Sequence, residues 1–226
     1  MRPLPIFIGY DPREASAYHV CCQSIIEHSS VPVALHPLAL NLLDEYAETH
    51  GDGSNDFIYS RFLVPYLMAF QGFALFLDGD MLVRGDVAEL FALARADMDV
   101  QVVKHSYRTK YPTKYLGAKN EDYPRKNWSS VVLWNCMSFP NKQLTPEYVR
   151  SHSGAHLHRF AWIKDDRIGE LPATWNHLTM EQEPMPDCKL AHYTVGTPCF
   201  PGYERQEHGA EWWETLSHAV APARQV

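Results

Sequence analysis

Residues 73–86 read FALFLDGDMLVRGD, an apolar run that stops at two aspartates flanking one glycine. The run has the length and composition of a buried strand. A carboxylate taken out of water without a partner costs several kcal/mol, so something must compensate Asp78 and Asp80. On a strand, residues i and i+2 point to one face, which aims both carboxylates at one place. They repel each other unless a cation sits between them, and hard oxygen ligands suit Mg²⁺ or Mn²⁺. Gly79 lets the backbone turn and leaves room for a ligand. In open α/β sheets the carboxyl ends of central strands are where ligands bind.

The flanking sequence supplies the sheet that this strand needs. Residues 4–10 (LPIFIGY) and 31–38 (VPVALHPL) read as strands, and residues 15–28 place Ala17, Tyr18, Cys21, Cys22, Ile25 and Ile26 at helical spacing. Residues 59–70 read as an apolar helix that Pro65 must kink or open. Asp86 and Glu89 have capping-box spacing ahead of a helix in 85–94. Further strands are expected in 99–105, 129–136 and 189–194, and a closing helix in 211–220. Alternating strands and helices argue for an α/β fold with a mostly parallel central sheet. Residues 106–128 are polar, tyrosine-rich and weakly periodic, which predicts a long functional loop.

The 226 residues fit one domain. A net charge of −7 gives no global field for nucleic acid, so no nucleic-acid partner is expected. No apolar stretch approaches the roughly 20 residues that span a bilayer, and the start does not read as a signal peptide. Five cysteines without a C-x-x-C pair support neither a zinc knuckle nor a redox motif. Reduced thiols and a cytoplasmic location, free or peripheral to the inner face of a membrane, are expected.

Two other chemistries use spaced aspartates. A calcium loop would take Asp78, Asp80 and, at position twelve, Glu89, but Val83 stands where such a loop needs glycine. A phosphatase of the haloacid-dehalogenase type also carries Asp-x-Asp after an apolar strand. That strand is usually the first of the chain, whereas here a strand–helix–strand unit precedes it, and Leu82 replaces the expected Thr or Val.

The segment FALFLDGDMLVRGDVAELF (73–91) closely resembles the metal-binding segment of glycosyltransferase family 8, the group of glycogenin and the bacterial lipopolysaccharide galactosyltransferases. Other stretches resemble that family in the same order along nearly the whole chain. IFIGYDPREASAYHVCCQSI (6–25) looks like its first strand and nucleotide loop, and YSRFLVPYL (59–67) like the helix carrying an arginine beside the donor. SSVVLWNC (129–136), WIKDDRIGELPATWN (162–176) and AHYTVGTPCF (191–200) are similar to its later strand, its Asp-Gln-Asp region and its closing His-x-x-Gly segment.

The resemblance implies a GT-A type fold with 1–105 as a nucleotide- and metal-binding half and 106–226 as an acceptor-binding half, an Mn²⁺ or Mg²⁺ ion, and retaining transfer of a hexose from a UDP-sugar to a glycan or glycolipid acceptor. It implies Asp78, Asp80 and His192 as metal ligands. Tyr10, Asp11, Arg61, Gly79 and Gly196 would border the donor, and Asp165 would lie near the anomeric carbon with Arg61 beside it. Three departures stand out. Thr197 occupies the place of the closing-motif lysine that neutralises the diphosphate, which leaves Arg125, Lys126 and Lys164 as candidates for that charge. Asp166 and Arg167 replace a Gln and an Asp, and Trp128 replaces a polar residue. YPRKNWSS (123–130) reads as a lid or acceptor wall, since aromatic faces stack on sugars and cations hold phosphates. A binding protein that keeps the nucleotide pocket without transfer is the non-enzymatic alternative.

Overall fold

The structure, a computed structural model, describes residues 2–51, 53 and 55–220. Strand β1 (Leu4–Gly9) leads through helix α1 (Ala15–His28) to β2 (Val33–Leu38), which pairs with it in parallel. On its other edge β1 pairs in parallel with β3 (Phe73–Leu77). Three more strands, β6 (Val131–Asn135), β5 (Val100–Val102) and β7 (Ile168–Glu170), complete a six-stranded sheet of order β2-β1-β3-β6-β5-β7. Only β6 runs against its neighbours, so the sheet is mostly parallel as expected. A second, three-stranded sheet joins β4 (Met81–Val83), β9 (Leu190–His192) and β8 (His177–Leu178).

The alternation in the sequence sorts side chains onto the two faces of the large sheet. Phe7, Ala74, Phe76, Val132 and Trp134 pack in one core, while Ile6, Ile8, Leu75, Leu77 and Leu133 pack in the other with Ile25 of α1. A third cluster joins Val20 of α1 and Leu82 of β4 to Trp212 of α6 (Gly209–Val220), which anchors the small sheet to the large one. Asp86 caps α3 (Val87–Ala92) by accepting a hydrogen bond from the Ala88 amide at 2.9 Å, as its spacing predicts.

Two expectations about elements require correction. Residues 59–70 form no long helix: a 3-10 turn over Ser60–Leu63 runs into the four-residue α2 (Val64–Leu67). Pro65 sits in the first turn of α2, where no intrahelical N–H is lost, and Ala69 and Phe70 end the element at φ of 48° and 55°. The two aspartates also lie just beyond the strand, in the turn from β3 to β4. That turn, rather than strand alternation, brings their carboxylates together. It is clamped by backbone hydrogen bonds from Asp78 N to Ser130 O and from Tyr193 N to Asp80 O, each 3.0 Å.

Gly79 serves this clamp and not a ligand. A Cβ at this position would lie 2.3 Å from the Gly9 carbonyl oxygen, because the turn crosses directly over the end of β1. Gly79→Ala is therefore expected to cost about 1–3 kcal/mol of stability, read from the urea midpoint at unchanged slope. An alanine variant with the parental midpoint would contradict the close approach.

Candidate metal and nucleotide-sugar site

β1 and β3 are neighbouring parallel strands whose chains leave in different directions, and the triad forms beside their carboxyl ends. Asp78, Asp80 and His192 each offer one ligand atom, and the three atoms lie within 4.8 Å of one another. His192 Nε2 is 3.3 Å from Asp80 Oδ1 and 3.9 Å from Asp78 Oδ2. His192 arrives because β9 pairs antiparallel with β4, which sets it opposite Met81, next to the aspartate turn.

The histidine is held in the form a metal requires. Its Nδ1 faces Asn176 Oδ1 at 3.0 Å, and the Asn176 amide donates to Ser130 Oγ at 2.9 Å. The amide donor is thus engaged elsewhere, so Oδ1 accepts from Nδ1–H and Nε2 is the nitrogen that faces the carboxylates, donating to them when it carries a proton and offering its lone pair to a metal when it does not. The aspartate oxygens fit the same role. Asp78 Oδ1 and Asp80 Oδ1 are both buried, the first ion-paired with Arg61 and the second facing His192 Nε2, and each keeps acceptor capacity for a further ligand. Burial pushes Asp78 up to about 6 against the pull of Arg61, whereas burial of Asp80 is outweighed by His192, which keeps it below the usual carboxylate range. Two adjacent buried carboxylates do not both ionise without a cation. The residues present fit a divalent ion with oxygen and imidazole ligands.

Arg61 is buried beside them, with Nη1 2.7 Å from Asp78 Oδ1 as an ion pair. The guanidinium also donates to Ile58 O and Ser129 O and lies over the Phe57 and Phe76 rings at 5.3 and 5.0 Å. It is pinned on every side and orients Asp78.

A lysine that was not among the sequence candidates, Lys114, stands beside the triad. It lines the triad cleft, and its Nζ donates to Thr194 Oγ1 at 3.2 Å. Burial lowers its pKa, and the opposing charges of Asp80 and Asp78 act to raise it. Of the candidates named from sequence, Lys126 faces a neighbouring groove, and neither Arg125 nor Lys164 lines the cleft. Lys114 comes from a short hairpin-like tip in the 106–128 segment, where Thr113 bridges Lys119 and the Lys114 amide donates to Ala118 O at 2.7 Å. No local sequence signal marks it, because only the path of that loop brings it to the triad. Asn176 and His158, which also stand at the site, were legible no further than the resemblance of the segment around Trp175 and Asn176.

The remaining site candidates are placed as follows. Tyr10 is half-buried at the end of β1, edge-on to Tyr18 at 5.2 Å. Asp11 is turned inward, with a side chain 0% exposed that accepts hydrogen bonds from Arg13 and from the Asp56 amide, so it shapes the loop. Gly196 is packed between Tyr115 and Tyr203, whose atoms would lie 3.1 Å from a Cβ there. Asp165 is not brought to the triad: its side chain is 83% exposed and pairs with Arg125 at 2.6 Å.

A further acid, Glu14, sits close by and was not singled out. It is buried, accepts a hydrogen bond from the Tyr115 hydroxyl through Oε1, and its Oε2 has no partner. Burial, with Asp80 and Asp11 adding to it, pushes its pKa up to about 9. The folded chain then holds a proton that the unfolded chain has lost above the ordinary carboxylate range. Stability therefore falls as pH rises through that window, by up to about 1.4 kcal/mol per pH unit. In metal-free buffer, the stability of Glu14→Gln relative to the parent is expected to grow between about pH 6 and pH 8. A difference that stays flat with pH would show Glu14 to be ionised in the folded state.

Comparisons with known proteins bear on the fold. No family model matches the chain. Protein CDI of Arabidopsis thaliana is 42% identical over 220 residues, covering 93% of this chain and 85% of its own length. Among solved structures, the galactosyltransferase LgtC in complex with donor and acceptor sugar analogs superposes with a TM-score of 0.60 at 15% identity, over 98% of both chains. The bifunctional glycosyltransferase WbbM reaches 0.68 at 14% identity over 95% of this chain, which spans only 50% of WbbM. GlyE of Streptococcus pneumoniae gives 0.60 at 15% identity and is spanned to 60% of its length. At such identities the likeness establishes the fold, a single α/β domain of the GT-A type.

Proposed function

The chain belongs to the family of Arabidopsis thaliana Protein CDI and has a GT-A glycosyltransferase fold, and from that premise we propose that it transfers a sugar from a UDP-sugar to a carbohydrate or glycolipid acceptor. The observation that carries the reading is the convergence of Asp78, Asp80 and His192 Nε2 beside Arg61 and Lys114 at the carboxyl ends of β1 and β3. Held by those three ligands, Mn²⁺ or Mg²⁺ would neutralise the charge that builds on a departing diphosphate.

The chain's own groups do the rest. Asn176 fixes the His192 tautomer, and Arg61 fixes Asp78. The Lys114 ammonium supplies the positive charge for the diphosphate that Thr197 cannot. Tyr10 at the end of β1 is assigned to the nucleobase side, with the loop shaped by Asp11 beneath it. Among the described residues lining the cleft, the only carboxylates are Asp78 and Asp80, both committed to the ion. Neither carboxylate of the triad is free to act as a nucleophile while it holds the ion, and we assign retention to attack of the acceptor on the face the leaving group vacates.

The cleft around the triad encloses about 70 Å³, room for a few waters and not for a nucleotide sugar. Calorimetry with UDP, GDP, CDP and ADP, each with and without Mn²⁺, tests the assignment. UDP is expected to bind, and only with the metal. Absence of metal-dependent binding for every nucleotide would overturn it.

A further inference from the structure

A second concavity of about 740 Å³ adjoins the triad cleft, a size typical of small-molecule clefts. The two share Ile58, Lys114, Ala118, Tyr123 and His158, so an occupant of one touches the other. Lys119, Lys126 and Arg159 line only the groove, and among the described residues Glu121 is its single acid. Such a local excess of positive charge, on a chain of net charge −7, is opposite in sign to the molecule as a whole.

Among the described residues none of these three cations has a close carboxylate partner, although Glu181 and Asp122 act on Lys126 from a distance. Lys126 is buried, yet its Nζ donates to two neutral oxygens, Asn120 Oδ1 at 2.6 Å and Glu121 O at 2.9 Å. Burial, together with the Lys114 charge, pushes Lys126 down to about 8. No acid among the described residues pairs with Arg159, and Lys119 reaches Glu121 only at 4.0 Å. Two uncharged features complete the groove. His158 stands on the shared wall with Nε2 buried and without a hydrogen-bond partner, while its Nδ1 meets Ser129 Oγ at 2.7 Å. Tyr123, 43% exposed, offers an aromatic shelf between the two spaces.

Resting on the transferase reading, we propose that this groove is the acceptor subsite and that it selects a sugar bearing an anionic group, a phosphate or a carboxylate. Arg159 and Lys119 meet the anion, Tyr123 stacks on the ring, and the His158 nitrogen meets a hydroxyl. The position beside Lys114 faces the acceptor toward the donor phosphates from the groove side.

The experiment uses the full chain with Mn²⁺ and saturating UDP, and measures binding of methyl glucuronide, glucose 6-phosphate and methyl glucoside by saturation-transfer NMR and calorimetry. At least one anionic probe is expected to bind more tightly than the neutral glucoside, and which one binds separates carboxylate from phosphate. The double variant Lys119→Ala with Arg159→Ala, both exposed positions, is expected to weaken that binding on the order of 10-fold and leave UDP binding unchanged. Equal binding of the neutral probe, or an anionic affinity unaltered in the double variant, overturns the anion selectivity while UDP binding stands. Failure of UDP to bind removes the donor reading, and the acceptor assignment falls with it.

Discussion

Asp80→Asn abolishes metal-dependent UDP binding, with an expected loss on the order of 100-fold or more. The substitution keeps the shape of the side chain and removes one of only two anionic ligands. Its amide also places a donor or a weaker acceptor 3.3 Å from His192 Nε2, where the ion requires a charged oxygen. Asp80 is a cleaner test than Asp78. Asp78 is the ionic partner of buried Arg61, so removing its charge leaves a guanidinium unpaired in the interior, a loss of about 3–5 kcal/mol in stability. A fall in binding at Asp78 would then mix ligand loss with unfolding. Thermal unfolding of the Asp80 variant, measured beside calorimetry, confirms that the chain remains folded. UDP binding that persists with parental metal dependence in this variant would remove the triad from the mechanism.

Lys114→Met is expected to weaken metal-dependent UDP binding by about 10- to 100-fold, the range of a charge-assisted hydrogen bond. Methionine keeps the stem of the side chain and deletes the ammonium, so the hairpin tip keeps its packing. The same variant should bind uridine, which has no phosphates, like the parent, because the lost charge acts on the diphosphate. Arg125→Ala and Lys164→Ala should leave UDP affinity unchanged, since neither residue lines the cleft. A parental UDP affinity in Lys114→Met, or a loss that extends equally to uridine, would deny it the role left open by Thr197.

The two predictions stand on different grounds in the chain. Asp78 and Asp80 declare themselves, because a charged pair at the end of an apolar run conflicts with burial and the conflict is visible over five residues. β3 and β6 were equally legible as strands, since each is a short unbroken apolar run bounded by polar residues. The Asp86 cap followed from local hydrogen-bonding chemistry. His192 needed the order of similar segments along the chain, because nothing within its own strand distinguishes it from eleven other histidines.

Lys114, Asn176, His158 and the inward turn of Asp11 were beyond any local pattern. A side chain's role in a pocket depends on where loops of weak periodicity are routed, and that is decided by contacts such as Tyr115 N to Val195 O at 2.8 Å and the Tyr115–Phe200 stack at 4.5 Å. Asp165 shows the converse. Its place in a familiar segment suggested chemistry, but a 3-10 turn at the surface gives its carboxylate to Arg125 and water. Sequence alone determined the α/β class, the apolar strands and the pair of carboxylates, because local periodicity and burial energetics act within a few residues. Tertiary structure decided which lysine stands beside the triad and which groove adjoins it, because convergence across 36 or 80 residues is a property of the packed chain and of nothing shorter.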